Sequence, residues 1–402
     1  MNITKIRKDF PILTRKVNGK KLVYLDNAAT SLTPDQVVTA ERCYYENSCA
    51  NIHRGVHNLS EEASIVYEEA HACTEKFIGA KKGEVIFTQN ATAALNTVSY
   101  SLKNSNMLKK GDKVVTTLLE HHSNYLPWKH LEKMGIKVEV VGLDANFEID
   151  YNELEKKSKG AKVVSVSGAS NTVASITDLK KVEAIVHEND ALLCVDAAQM
   201  APHTPINFKK MNADFLAFSA HKMLGPTGIG CLVGKIELLE EMEPFMLGGG
   251  VVREVSLAKS AWDDLPYKFE AGTPDIAGAY GLKAATAYIE KIGFETIETQ
   301  GKKLTQLCLK EMERINGVKV FGPSKEGKRG SIVLFDTKLN CHDLGILLNE
   351  EGIAIRSGMH CAEPLVSTLN KDGLARASFY FYNTEEEVLF FTKKLKETLK
   401  QV

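Results

Sequence analysis

Lys222 stands in the stretch FLAFSAHKMLGPTGIG, residues 215–230, just after an apolar run without alternation, the signature of a strand buried on both faces. A lysine in that place must keep its charge near the core or lose it, because burying an ammonium is costly. A neutral amine can form a Schiff base with a carbonyl compound, so Lys222 has the type and position of a covalent catalyst. Asp196 ends a neighbouring apolar run, LLCVD, with Gln199 three residues further on. Far along the chain, IAIRSGMHCAEP, residues 353–364, puts Arg356 at the end of an apolar run and His360-Cys361 on a loop bounded by Ser-Gly and proline. A loop cysteine beside histidine is a candidate for thiolate chemistry. Taken singly, each residue also has a plain structural reading as an unreactive thiol, a helix cap or a hydrogen-bonded histidine.

These residues need elements to bring them together. Between about residues 84 and 233 the runs EVIFT, KVVTTLL, VEVVGL, AKVVSVSG, ALLCVDA, DFLAFSA and IGCLVG read as strands, and ATAALNTVSYSL and DLKKVEAIVHEN between them read as helices. That alternation predicts an α/β fold with a mainly parallel seven-stranded sheet. After about residue 285 a long helical region, the short strands VKVFG and GSIVLFD, and a final amphipathic helix with a solvated charged face predict a smaller α+β domain. The expected division is 20–285 for the large domain and 1–19 with 286–402 for the small one.

In an open parallel sheet, ligands bind beyond the carboxyl ends of the strands. Read in order, those ends carry Asn90-Ala91-Thr92, Glu120-His121-His122, Ser170-Asn171, Asp196 with Gln199, and Ser219 with His221 and Lys222. Together they describe one cofactor. Lys222 would bind an aldehyde, Asp196 would pair with a protonated pyridine nitrogen, and His121 would stack on a flat ring. Ala91 and Thr92 at a helix start, with Ser219 and His221, would hold a phosphate. The cofactor implied is pyridoxal 5'-phosphate.

Other classes fit poorly. GPTGIG follows the lysine and leads back into a strand, so it is no dinucleotide fingerprint, and no GxxxxGK[ST] surrounds Lys222. His53 and His57 lack an HExxH glutamate, so no metal site is expected. With 50 Lys and Arg against 51 Asp and Glu, the net charge of -1 gives no general attraction to nucleic acid or to a membrane surface. Eight cysteines without CxxC pairs, and a start without signal-peptide features, point to a cytoplasmic protein with reduced thiols.

The motifs YLDNAATS, HRGVHNLS, EHHSNYLPW, VDAAQ, FSAHKMLGPTGIG, FEAGTP, RSGMHCAEP and RASFYFYNTEEEV follow one another from residue 24 to 388. In this order they resemble the SufS-type, or group II, cysteine desulfurases and selenocysteine lyases, of the fold-type I pyridoxal phosphate class. The resemblance implies Lys222 as the Schiff-base lysine, Asp196 as partner of the ring nitrogen, Gln199 as ligand of the ring hydroxyl and His121 as stacking residue and proton carrier. It implies Ala91, Thr92, Ser219 and His221 around the phosphate, with Thr273 contributed from the other subunit of a homodimer. Arg356, Asn171 and Arg376 correspond to substrate carboxylate binding, and Cys361 to the nucleophile that takes sulfur from L-cysteine as a persulfide while alanine leaves.

Iron-sulfur cluster assembly, through an acceptor protein or scaffold, is the implied destination of the sulfur. A selenocysteine lyase and a non-catalytic, cofactor-binding regulator are the alternatives, and whether His360, His121 or the substrate moves the proton of Cys361 stays open. Met359 beside the nucleophile, SNTVAS, and Asn90 in place of a common glycine depart from the family pattern. They bear on rate and acceptor choice more than on reaction type. The short connection from Arg356 to Cys361 matches the group II branch.

Overall fold

All seven runs read as strands form one sheet in the computed structural model of the chain, which describes residues 2–53, 55–325 and 327–401. Arg54, within the HRGVHNLS motif, lies outside the described residues, as do both chain ends of the expected domain division. The strands are β1 (Val85–Thr88), β2 (Lys113–Thr117), β3 (Lys137–Val141), β4 (Ala161–Ser167), β5 (Leu192–Asp196), β6 (Phe215–Ser219) and β7 (Gly230–Gly234). Their order is β1-β7-β6-β5-β4-β2-β3, with β7 antiparallel to both of its neighbours and the pairs from β6 to β3 all parallel. The expected α/β architecture is therefore present.

Every residue of β6 is buried, as its unbroken apolar pattern requires when helices cover both faces. Parallel pairing puts the carboxyl ends of β2, β4, β5 and β6 on one edge, and the register sets Ser167 beside Asp196 and Asp196 beside Ala217. Gly230 lets β7 approach closely: a Cβ there would lie 2.6 Å from Asn90 Cα and 2.6 Å from Phe218 O. That approach seats helix Ala91–Asn104, whose N-cap Asn90 accepts the Ala93 N–H at 3.0 Å, beside the end of β6. The helix buries Leu95, Val98 and Leu102 against the sheet, at about 1.5–3 kcal/mol for each side chain of that size.

The C-terminal part contains β8 (Lys319–Phe321), β9 (Ile332–Asp336), β10 (Arg356–Gly358) and β11 (Leu374–Ser378), ordered β8-β9-β11-β10 and antiparallel throughout. Helices Phe294–Met312, Cys341–Glu350 and Glu385–Lys400 supply Leu304, Leu344, Phe391 and Leu395 to the core it shares with Val333 and Phe335. The last helix begins in a capping box between Thr384 and Glu387, and its buried residues include Val388, Phe391, Leu395 and Leu399.

Extensive packing joins the two parts. Phe10 stands edge-on to Tyr288 and Phe381, with ring centroids 6.0 and 6.1 Å away, and 4.6 Å from Tyr382. Val23–Tyr24 pairs in parallel with Ile353–Ala354, and Val23 and Leu25 belong to the core of the small sheet. We retain the division at 20 and 285 as a proposal; helix Ile276–Ile292 runs across its second boundary.

Candidate active site

A cleft of ≈ 440 Å³ opens between the carboxyl edge of the large sheet and the loop joining β10 to β11. Lys222, Asp196, Gln199, His121, Ala91, Thr92, Ser219, His221, Asn171, Arg356, Arg376 and Cys361 all line it. Thr273 does not: it is exposed and borders two neighbouring cavities.

Lys222 closes a short helical turn, Ala220–Lys222, that follows β6 directly, so the strand end aims the lysine into the cleft. Its Nζ has no hydrogen-bond or ion-pair partner among the described residues. Burial lowers its pKa below the ordinary lysine value; Asp196 and Cys361 oppose that shift, and Arg376 reinforces it. Asp196 is buried, accepts the Ala198 N–H on Oδ1 at 2.9 Å, and leaves Oδ2 without a hydrogen-bond partner among the described residues. Burial raises its pKa, and Lys222 pulls in the opposite direction.

His121 is the N-cap of helix His122–Leu131, and its Nδ1 accepts the Ser123 N–H at 3.1 Å. Nδ1 is therefore unprotonated, and the neutral ring carries its proton on Nε2. Burial first, then Lys222, pushes the His121 pKa down to about 3, so the ring is neutral throughout the physiological range. Opposite, the Ala91 N–H at a helix start donates to Ser219 Oγ at 2.8 Å, and the Thr92 and Ser123 hydroxyls meet at 2.6 Å. Gln199 donates to Ala28 O at 2.7 Å, and His221 Nδ1 lies 3.2 Å from Thr30 Oγ1.

This donor set fits pyridoxal phosphate. An unpaired amine, a buried carboxylate with one free oxygen, a neutral ring with a fixed tautomer, and a helix start beside a hydroxyl are what its aldehyde, pyridine nitrogen, ring face and phosphate require.

At the other end of the cleft, His360 and Cys361 both adopt left-handed backbone, with φ of 54° and 53°. Such conformations are costly for non-glycine residues and persist where the surroundings hold them. Three contacts do so: Asn171 Nδ2 donates to His360 O at 2.8 Å, the His122 N–H donates to Cys361 O at 2.8 Å, and His360 Nε2 donates to Leu374 O at 2.9 Å. The exposed Cys361 is thus fixed at the mouth of the cleft. Asn171, expected at the substrate carboxylate, spends its amide on this loop, while its carbonyl accepts from Arg376 Nη1 at 2.6 Å.

Sequence reasoning gave no role to two further residues. Asp26 contacts both Arg356 and Arg376. Glu120, named at a strand end without a function, is fully enclosed and accepts from Thr117 Oγ1 at 2.5 Å, Asn124 Nδ2 at 2.6 Å and Ser167 Oγ at 2.7 Å. Hydroxyl residues at alternate positions of β4, Ser165 and Ser167, were the available signal for a buried polar partner.

Burial raises the Glu120 pKa to about 7, although all three hydrogen bonds act to lower it. A carboxyl whose pKa is higher folded than unfolded stabilises most below its unfolded value, and that stability is lost as pH rises through the folded value. Relative to Glu120→Gln, the wild type should therefore lose on the order of 3 kcal/mol between pH 4.5 and 8. In thermal melts the wild-type advantage should shrink by several degrees from pH 5 to pH 8. An equal difference at both pH values refutes the assignment.

The aminotransferase class-V family matches residues 23–391. A probable cysteine desulfurase of Staphylococcus aureus is 43% identical over 400 residues, covering 99% of this chain and 97% of the relative. The apo structure of a cysteine desulfurase from Thermococcus onnurineus NA1 superposes with a TM-score of 0.94 at 42% identity, covering 99% of this chain and 98% of that one. The cysteine desulfurase CsdA from Escherichia coli, solved as the S-sulfonic acid, gives 0.91 at 32% identity over 100% of this chain and 99% of its own. Among the described residues no helix is long and apolar enough to cross a membrane, and no cluster of three His, Cys, Asp or Glu could hold a metal ion. With its pyridoxal phosphate donor set and its full-length likeness to cysteine desulfurases, the chain belongs to the aminotransferase class-V family.

Proposed function

We propose that the chain is a pyridoxal-phosphate-dependent cysteine desulfurase that converts L-cysteine to L-alanine and carries the sulfur away on Cys361. The observation that carries this reading is that one cleft is lined by both Lys222 and an exposed cysteine held on a strained loop. An aminotransferase would have no use for the second.

When bound, the cofactor supplies an aldehyde for amines and a ring that withdraws electrons from the substrate's α-carbon. Lys222 would hold it, Asp196 would keep a proton at the ring nitrogen by its negative charge, and the neutral His121 ring would serve as its stacking partner. Arg356 and Arg376 bind the substrate carboxylate, a task suited to guanidinium geometry. Lys222, with a lowered pKa, takes the proton from the substrate's α-carbon and returns it. Cys361 Sγ bonds to the substrate sulfur as the substrate's C–S bond breaks, giving a persulfide on the protein and alanine as the other product. No external oxidant is required, because the sulfur passes between the two thiols as alanine takes up the electrons and protons.

Several features support the finer assignments. Thr273 lies outside this chain's cleft, and the adjoining segment Phe245–Leu247 exposes apolar side chains, which suits a homodimer in which each subunit contributes Thr273 to its partner's site. The exposed Cys361 suits delivery to an acceptor protein or an iron-sulfur scaffold, and the short loop suits the group II branch. All eight cysteines are free thiols, in keeping with a cytoplasmic location.

The test is alanine release from L-cysteine by the purified holoenzyme under reducing conditions, with persulfide measured in parallel. Before reductant removes the persulfide, alanine and protein-bound persulfide should appear in equal amounts in the first turnover. Pyruvate in place of alanine would assign a β-elimination instead.

A further inference from the structure

Arg356 and Arg376 are direct cross-strand partners in the antiparallel pair of β10 and β11. Like charges in that relation repel. A third segment of chain resolves the conflict. The Leu25 N–H donates to Ala354 O at 2.9 Å, the Ser378 N–H donates to Leu25 O at 2.7 Å, and Asp26 forms a bridge with Ser378. This backbone docking delivers the Asp26 carboxylate between the two guanidiniums. Arg356 Nη2 donates to Oδ2 at 2.8 Å and its Nε to Oδ1 at 3.4 Å, and Arg376 Nη2 donates to Oδ1 at 3.4 Å.

Both arginines line the cleft, whereas Asp26 stands behind them with its side chain only 13% exposed. Among the described residues, Asp26 uses one edge of Arg356 and leaves Nη1 without a hydrogen-bond partner, and Arg376 Nε is buried without one. Two guanidiniums and one carboxylate sum to a single positive charge. That is the complement of one substrate carboxylate; solvent screens the contact weakly at Arg376, whose side chain is 3% exposed, and more strongly at Arg356, which is 49% exposed.

We propose that Asp26 is a built-in counter-ion that sets the arginine pair at one net positive charge, so that the site takes amino acids through a single carboxylate and lets substrate and product exchange. The inference rests on the reading of Arg356 and Arg376 as the carboxylate site. Asp26 touches neither the cofactor end nor the substrate side of the cleft, so it is a positioning and specificity residue.

The experiment uses holoenzyme and steady-state alanine release, with L-alanine and sodium sulfate as inhibitors at constant ionic strength. In Asp26→Asn both inhibition constants should fall at least tenfold, and KM for L-cysteine should fall with them. Asp26→Glu, which keeps the charge, should remain within threefold of the wild type in all three. Unchanged or weaker inhibition in a folded Asp26→Asn with a normal cofactor spectrum overturns the proposal and leaves Asp26 as a brace.

Should Asp26→Asn not fold, the wild type decides: sulfate should compete with L-cysteine no more than about threefold better than acetate, and a preference for sulfate above tenfold overturns the single-charge receptor. Arg356→Gln separates the two readings. A rise of tenfold or more in KM supports the carboxylate site whatever Asp26 does, and an unchanged KM removes that site and this proposal together.

Discussion

Cys361→Ala is expected to lower alanine release from L-cysteine by at least ~1000-fold while leaving the visible absorption of the bound cofactor unchanged. The size of the effect follows from position. Among the described residues Cys361 is the only cysteine lining the cleft; Cys194, Cys231, Cys308 and Cys341 are buried, and Cys43, Cys49 and Cys73 lie outside the cleft, so no thiol in the cleft can take over. The spectrum should survive because the loop is held through backbone carbonyls of His360 and Cys361, which the substitution keeps. Alanine also has one heavy atom fewer than cysteine at an exposed site, so no cavity is opened in the core. Measurements of alanine and spectrum on one preparation check this, and a variant retaining a tenth of the wild-type rate on L-cysteine would remove Cys361 from the mechanism. Retained activity on selenocysteine alone would favour the lyase alternative, since that substrate depends less on the protein's thiol.

Lys222→Ala should be more severe, because one side chain serves both as covalent anchor and as carrier of the α-proton. Loss of a positioned proton carrier alone costs about 10²–10⁴-fold, and loss of the anchor adds to it, so turnover should fall by at least ~10⁴-fold. The unpaired Nζ and lowered pKa explain why a single amine can fill both tasks: burial stabilises its neutral form, and no carboxylate forms an ion pair with it. Treatment with borohydride followed by peptide mapping gives a readout independent of activity. The wild type should carry the reduced cofactor on the peptide containing Lys222, and the variant should carry none. Modification of another lysine in the wild type would move the anchor elsewhere.

Much of the scaffold was legible in the chain. β6 is five buried residues in a row, β5 is nearly so, and each announced itself as an apolar run followed by a polar break. The strand ends could be read as a site because a parallel sheet brings its carboxyl ends to one edge, whatever the details of packing. Lys222, Asp196 and His121 therefore line one cleft, whereas Cys361, on the loop between β10 and β11 of the antiparallel sheet, reaches that cleft through the packing of the two parts.

Other assignments depended on neighbours that no sequence window contains. Asn171 was assigned to the substrate, yet its amide reaches the carbonyl of His360, 189 residues away. Glu120 acquires its raised pKa from enclosure among Thr117, Asn124 and Ser167, and its sequence context states the residue types but not the enclosure.

The sequence by itself determined the strands, their polar ends and the chemistry of the cofactor, because hydrophobic periodicity and short motifs act over a few residues. Only the tertiary structure decided that Asp26, 330 residues from Arg356 and 350 from Arg376, supplies the charge between them. A Coulomb interaction depends on distance in space and on local dielectric, and neither is set by separation along the chain.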